Sequence, residues 1–393
     1  MMWDAIVLGA GAAGLMCAIE AARRGRRVLV LDHARAAGEK IRISGGGRCN
    51  FTNLHIAPER FLSENPRFAR SALSRYTQHD FIGRVNRAGI ASHEKTLGQL
   101  FCDGSARQIV DMLLRDLHSA GAELRLGVTP GAVRRAADGG FRVPTDAGEM
   151  TAASVVLATG GKSIPRMGAS DFGYRVAESF GLRILPTRPA LVPLVFTDAQ
   201  LDAMRSLAGV SVHARVGVEG EKIAFEEGLL FTHRGLSGPS ILQISSYWAP
   251  GRAIRVDLAA GRDLAAEAKA GRGRGMGGRD LVNALDLPQT LARSVVARAG
   301  LSGRLADQTR AGFAVLHRAV HDWHLVPAGT EGWRTAEVTA GGVDTRDLDA
   351  RSFAARAVPG LYVVGELVDV TGWLGGYNFQ WAWSSGWAAG QVV

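Results

Sequence analysis

Residues 43–50 read Ile-Ser-Gly-Gly-Gly-Arg-Cys-Asn, so three bare glycines are followed by a fixed cation, a thiol and an amide. Backbone of this kind brings main-chain N–H groups against a phosphate or a flat ring with no side chain in the way. The amino end carries the same chemistry in Gly9-Ala10-Gly11-Ala12-Ala13-Gly14, an intact GxGxxG. There Gly9 suits the tight turn, Gly11 lets a pyrophosphate approach a helix N-terminus, and Gly14 lets helix and strand pack closely. Asp32 ends the next apolar run, where a carboxylate accepts hydrogen bonds from an adenosine ribose. Further glycine pairs stand at Gly160-Gly161, Gly341-Gly342 and Gly375-Gly376. Glycine spent this way at both ends of a chain is most simply explained by one long, bent dinucleotide.

The elements that must hold these groups are legible in the hydrophobic pattern. Asp4 to Leu8 and Arg27 to Leu31 are short apolar runs suited to buried parallel strands, with the helical run LMCAIEAARRG between them. Residues 43–50 read as a loop. A helix is expected at about Arg107 to Ala120, and strands at Leu124 to Val128, Ala153 to Leu157 and Leu361 to Val364. Gly375-Gly376-Tyr377-Asn378 opens a final helix, whose N–H groups and dipole end suit the pyrimidine edge of a flavin. An NAD domain would run on through further βαβ units. Here the second strand leads instead to Glu39-Lys40 and the glycine loop, which points to FAD.

Together these residues resemble the two-dinucleotide-binding-domain flavoproteins, specifically the BaiN/YhiN-like family of NAD(P)/FAD-dependent oxidoreductases. The resemblance rests on the GxGxxG start, KIRISGGGRCNFTN (40–53), ATGGKSIP (158–165), PALVPL (189–194), LLFTHRGLSGPSIL (229–242), TAGGV (339–343) and GELVD with GGYNFQWAWSSG (365–386), which together span nearly the whole chain. It implies noncovalent FAD held by Gly9, Gly11, Ala13, Gly14, Asp32, Lys40, Ser44, Gly45, Gly46, Gly47, Arg48, Cys49, Asn50, Val128, Thr159, Gly160, Gly161, Gly365, Glu366, Gly376, Tyr377 and Asn378. Two positions depart from the pattern: Asp32 stands where the family more often has Glu, and Asp171-Phe172 where it more commonly has Gly-Asp.

Between Arg188 and Arg334 the pattern changes. Strands are expected at Leu191 to Phe196, Val210 to Val218, Ile223 to Phe225, Leu229 to Thr232 and Ile254 to Leu258, then an Ala/Gly/Arg stretch at 265–278 and helical patterns over 279–324. The expected organisation is a discontinuous FAD-binding domain (1–188 and 334–393), an inserted β-rich domain (189–264), a linker (265–278) and a small helical unit (279–333). His233 and Arg234 are the most suggestive polar pair of the insertion. A histidine moves a proton near neutral pH, and an arginine clamps a carboxylate or stabilises an enolate. The competing reading is a structural turn before a helix capped by Ser237 or Ser240. His317, His321 and His324 recur at i, i+4 and i+7, as on one helical face. With no Glu in an HExxH frame and no cysteine nearby, no metal site is expected.

Composition is that of a globular chain, 47% hydrophobic and 21% charged. The net charge is +9, carried almost entirely by arginine, which attracts anions. Apart from RRGRR at 23–27 and RGRG at 272–275 the arginines are scattered, so nucleic acid is not the expected partner. Cys17, Cys49 and Cys102 make no CxxC and leave an odd count, which argues against a disulfide framework and fits a reducing cytoplasm. Ala5 to Ala22 contains the fingerprint glycines and Glu20, so it reads as buried strand and helix, neither a targeting segment nor a membrane span.

The expected fold is therefore α/β: a Rossmann-like FAD-binding domain with an inserted β-rich domain and a small helical unit. The expected activity passes a hydride from a reduced nicotinamide, a transient NAD(P)H visitor, through FAD to an electron-poor C=C or carbonyl of a small organic molecule. No second GxGxxG follows a strand to hold that nicotinamide. The alternatives are a flavin-dependent RNA-modifying protein and a flavoprotein that senses or is merely stabilised by FAD.

Overall fold

The computed structural model describes residues 2–137 and 139–393. They fall into two compact units, residues 2–189 with 338–393, and residues 190–337.

The first unit is built on a seven-stranded sheet. Strand β1 (Trp3–Leu8) leads through a glycine turn into helix α1 (Ala12–Arg23) and returns to β2 (Val28–Asp32), which pairs parallel with β1. Both strands are apolar almost throughout and buried, as a sheet covered on two faces requires. Glu123–Leu126 adds parallel to β2, and Gly148–Leu157 adds parallel to β1. Gly148–Leu157 also carries antiparallel Phe141–Thr145 on its first half and parallel Leu361–Val363 on its last three residues. The C-terminal segment thereby re-enters the sheet beside the strand that leads to Gly160-Gly161.

The C-terminal helix, Tyr377–Gly390, packs closely on α1 because both carry small residues at the contact. A Cβ on Gly386 would stand 2.3 Å from the Ala13 carbonyl oxygen, and one on Gly390 2.7 Å from that of Cys17. Trp381 and Trp383 are buried on the same helix. Trp381 donates to the Gly365 carbonyl (3.0 Å) and Trp383 to the Phe51 carbonyl (2.8 Å), while the Trp383 ring stacks on Phe81 with centroids 4.3 Å apart. Each indole therefore buries a large apolar area without stranding its N–H, and truncating either to Ala costs about 3–5 kcal/mol.

The second unit is an all-antiparallel seven-stranded sheet in the order Trp323–Leu325, Ile254–Asp257, Ser211–Val218, Ala224–Thr232, Gly235–Ser237, Leu194–Val195, Gly329–Thr330. Three local readings of the sequence change here. The runs at 223–225 and 229–232 are one strand, Ala224–Thr232, continuous through Gly228. The close approach here requires a glycine at Gly238, where φ is +89° and a Cβ would stand 2.7 Å from the Gly228 carbonyl oxygen; a Cβ on Gly228 itself would make only an ordinary 3.7 Å contact with Pro239. The expected strand 191–196 is paired only at Leu194–Val195, because Leu191 has a left-handed backbone (φ 49°) and Pro193 lacks a donor. Residues 265–278 are not a linker: Leu264–Gly271 is helical, and Leu264, Ala265 and Ala268 are buried. The helices Gln289–Arg298 and Arg310–His321 belong to the same compact unit as the antiparallel sheet.

Candidate FAD site in the first unit

The turn between β1 and α1 shows why its glycines are there. Gly9 has φ +114°, and a Cβ on it would stand 2.3 Å from the Ala158 carbonyl oxygen. A Cβ on Gly14 would stand 1.9 Å from the Gly9 carbonyl oxygen. Gly11 differs, since a Cβ there meets nothing within 4 Å. Gly9 and Gly14 are needed for protein packing, and Gly11 for approach from outside. The first turn of α1 has no acidic residue and no side-chain cap, so its N–H groups suit an anion. Asp32 ties this turn to β2: one carboxylate oxygen accepts from Ala10 N (2.6 Å), the other from Ala34 N (2.8 Å). The oxygen bonded to Ala10 keeps a second lone pair for a ribose hydroxyl, while the one bonded to Ala34 also lies 3.4 Å from His33 Nδ1. Val128 is buried and donates its N–H to the Asp32 carbonyl (3.0 Å), bracing the same strand end.

The glycine loop begins as helix α2 (Glu39–Gly47), but its last turn unwinds. Ser44 is extended (ψ 149°), then Gly45, Gly46 and Gly47 take φ of 57°, 66° and 83°. Successive left-handed residues are accessible to glycine and costly for others, which is the physical reason for the triplet. Gly45 also passes close to protein, with a Cβ there 2.7 Å from the Phe101 ring, whereas Gly46 and Gly47 face open space. Arg48 is exposed. Cys49 is fully buried with φ 52°, and burial pushes its thiol well above the usual range, so it has a shape-setting place rather than a redox-active one.

Strand β3 (Asn50–Asn53) follows and meets the start of the C-terminal helix. Asn50 Oδ1 accepts from Gly376 N (3.2 Å), while its Nδ2 donates to the carbonyls of Leu100 (3.2 Å) and Thr52 (3.1 Å). Gly376 has φ +95°, and a Cβ on it would lie 2.4 Å from the Thr52 carbonyl. No acidic residue or side-chain cap occupies the first turn of this helix. Asn378 clasps the preceding turn, accepting from Gly372 N (2.8 Å) and donating to Gly372 O (2.9 Å). Tyr377 is buried, and its hydroxyl accepts from Arg60 (2.5 Å). These two residues shape the helix start.

A third cluster joins distant motifs. Lys40 Nζ donates to Glu366 Oε2 (2.8 Å) and Ser163 Oγ (2.6 Å), and Ser163 donates to Glu366 Oε1 (3.0 Å). Thr339 N also donates to Glu366 Oε1 (2.9 Å), while Thr339 Oγ1 accepts from Lys162 N (2.8 Å). Gly161 lies against this cluster. Gly365 (φ +70°) touches Ala13, and its N–H donates to Ser385 Oγ (3.0 Å). Thr159 stands beside Gly160, which has φ +73° and open space. Ser163, Thr339 and Ser385 escape the sequence reading, although Ser163 and Thr339 flank glycine pairs that it singles out.

His233 and Arg234 sit in the second unit, exposed on the turn between Ala224–Thr232 and Gly235–Ser237. Thr232 Oγ1 holds this turn by accepting from Arg234 N (3.2 Å) and Gly235 N (3.1 Å). Arg234 stands 4.0 Å from Glu331. Neither Ser237 nor Ser240 caps the following helix; Ser240 donates to the Gly228 carbonyl instead. The three histidines do not share a helical face. The helix ends at His321, and His324 lies in strand Trp323–Leu325, where pairing with Ile254–Asp257 overrides the helical period. Among the described residues, no helix is long and apolar enough to cross a membrane.

The donor set fits FAD. A bare helix N-terminus with open space at Gly11, an acid at the end of β2, a left-handed glycine loop and a second uncapped helix match pyrophosphate, ribose and ring in turn. The family model described as HI0933-like protein Rossmann domain matches residues 3–392. The chain is 49% identical, over 99% of its length and 97% of the relative's, to a ribosomal RNA dihydrouridine synthase of Escherichia coli K12. It is 29% identical, over 98% of each chain, to a 3-dehydro-bile acid delta(4,6)-reductase of Clostridium scindens. Among solved structures, a 3-ketosteroid-delta4-(5alpha)-dehydrogenase from Rhodococcus jostii superposes with TM-score 0.51 at 15% identity, covering 99% of this chain and 97% of that one. The chain belongs to the HI0933-like Rossmann family, FAD-binding flavoprotein oxidoreductases.

Proposed function

We propose that this protein reduces the C5=C6 double bond of a uridine in ribosomal RNA, with FAD as hydride donor and NAD(P)H as its reductant. The observation that carries this reading is the 49% identity, over nearly the full length of both chains, to a relative named as a ribosomal RNA dihydrouridine synthase. The sequence expectation of an electron-poor C=C is retained; RNA replaces the small molecule as its bearer. Uracil C5=C6 is conjugated to the C4 carbonyl, so C6 accepts a hydride and C5 a proton. Bound, reduced FAD supplies the hydride.

The chain's residues have separate tasks in this reading. The α1 N-terminus and Gly11 bind the pyrophosphate, and Asp32 the ribose. The Lys40–Ser163–Glu366–Thr339 cluster sets the glycine pairs around the ring, and the start of the C-terminal helix faces its pyrimidine edge. His233 donates the proton to C5, and Arg234 holds an RNA phosphate, a contact favoured by the +9 net charge.

The test is mass spectrometry of ribosomal RNA from cells with and without the gene, then of deficient RNA incubated with purified protein, FAD and each nicotinamide. A gain of two hydrogens on a uridine is expected. His233→Ala should retain FAD and its reducibility but slow that gain. RNA left unchanged by a protein that oxidises NAD(P)H with a conjugated 3-oxo steroid would overturn the proposal. It would favour the second reading, a small-molecule enone reductase, for which the 29% relative speaks.

A further inference from the structure

The loop after strand Ile254–Asp257 and the helix Arg310–His321 bring together three metal-ligating side chains that the sequence keeps far apart. Ligand atoms of Asp263, His317 and His321 all lie within 4.8 Å of one another. Asp263 Oδ1 is 3.3 Å from His317 Nδ1 and 3.8 Å from His321 Nε2. Bonds of 2.0–2.1 Å to a tetrahedral zinc ion separate its ligands by roughly 3.3–3.4 Å, so small side-chain movements close the set. Helical spacing alone suggests His317, His321 and His324 and gives no metal site. The fold replaces His324, which pairs with Asp322 (3.0 Å), by a carboxylate.

A second observation concerns His321. Its side chain is about 10% exposed, and Nε2 is buried without a hydrogen-bond partner. A stranded buried polar atom costs about 1–3 kcal/mol unless something bonds to it. Nδ1 of the same ring lies 2.8 Å from Asp257 Oδ1. That carboxylate holds the proton on Nδ1 and presents the Nε2 lone pair towards Asp263, the outer-shell arrangement that orients metal-binding histidines. Asp263 is itself fixed, because its Oδ1 accepts from Ala266 N (2.9 Å) at the start of helix Leu264–Gly271. Without an ion, a single His317–Asp263 contact links the exposed pair, and the His321 nitrogen stays unsatisfied.

We propose that Asp263, His317 and His321 form a zinc site, with Asp257 as outer-shell partner and water in the fourth position. Two imidazoles and one carboxylate are a borderline donor set that suits zinc and excludes magnesium, which requires oxygen. The ion clips the loop after Ile254–Asp257 to helix Arg310–His321 within the second unit. It is independent of the FAD site and of the substrate reading.

The test uses tag-free, flavin-loaded protein stripped with a chelator and titrated with Zn²⁺ against a chromophoric competitor, alongside thermal unfolding with and without the ion. One equivalent is expected to bind and to raise the unfolding midpoint, and excess Mg²⁺ should not displace it. Asp263→Asn and His317→Ala should each weaken binding at least tenfold and abolish the rise, with flavin content unchanged. Both side chains are about half exposed, so both variants should fold. His321→Ala tests the buried ligand, and His324→Ala should bind like the parent. Failure of the parent to take up one equivalent, or equal affinity in parent, Asp263→Asn and His317→Ala, would overturn the site.

Discussion

Gly160 and Gly161 are neighbours needed for opposite reasons, and substituting each by Ala separates backbone strain from collision. At Gly161 a Cβ would lie 2.2 Å from Thr339 Oγ1 and 2.5 Å from Glu366 Oε1. Both oxygens are fixed by hydrogen bonds to Lys162 N, Thr339 N and Ser163, so the methyl must break two or three of them. At about 1 kcal/mol net each, and more where a carboxylate is involved, the cost is roughly 2–4 kcal/mol. At Gly160 a Cβ meets nothing within 4 Å, and only the φ of +73° is unfavourable, worth about 1–2 kcal/mol. For a unit of this size, 1 kcal/mol moves the midpoint by about 2–4 °C. Gly161→Ala should therefore lower the apparent thermal midpoint by about 4–16 °C, and Gly160→Ala by about 2–8 °C. Circular-dichroism melts of flavin-stripped protein, with FAD titrations of each variant, measure both. A Gly160→Ala protein less stable than Gly161→Ala, or a Gly161→Ala protein indistinguishable from the parent, would refute the assigned geometry.

Two further outcomes are expected. Gly11→Val should abolish FAD retention, because the space that it fills lies outside the protein core, whereas Asp32→Ala should weaken FAD at least tenfold and also lower stability through the lost bonds to Ala10 and Ala34; flavin content and apo melts separate the two effects. Burial pushes the Asp344 carboxyl up, but bonds from Arg346 and the nearby Arg183 outweigh this and hold it below the usual carboxylate range. Its stabilisation is then complete above the unfolded pKa near 4 and lost as pH falls through the lower folded value, so Asp344→Asn should destabilise at pH 7 and flatten the acid limb of a stability–pH profile.

Much of the FAD half was legible because its constraints are local. A GxGxxG needs only a strand before and a helix after, and both runs are apolar with the right period. The glycine loop was legible as a bare backbone, but not as a helix that unwinds through three left-handed residues. Nothing in Ser44 to Gly47 names a φ angle until Phe101 and Asn50 close around it. The Lys40–Ser163–Glu366–Thr339 cluster was not legible as a cluster, because its members come from four separate motifs. Each looks like an ordinary polar neighbour of a glycine. In the second unit the errors came from pairing. Gly228 reads as a break and lies inside one continuous strand, the Ala/Arg stretch reads as solvated and buries Ala265 and Ala268, and His324 follows its strand partners rather than the helical period.

The small-residue contact between α1 and the C-terminal helix joins two segments that the whole second unit separates along the chain. Arg24 donates to the carbonyls of Gly390 (3.0 Å) and Val393 (3.2 Å), securing that junction. The glycine turn at 9–14 is made before the second unit, whereas the helix that packs on α1 and the glycines at 365 and 376 are made after it. A site that draws on both sets of glycines is complete only after the second unit has been made. A nascent chain exposes the apolar face of α1 until its partner arrives, and closing so long a loop is slow.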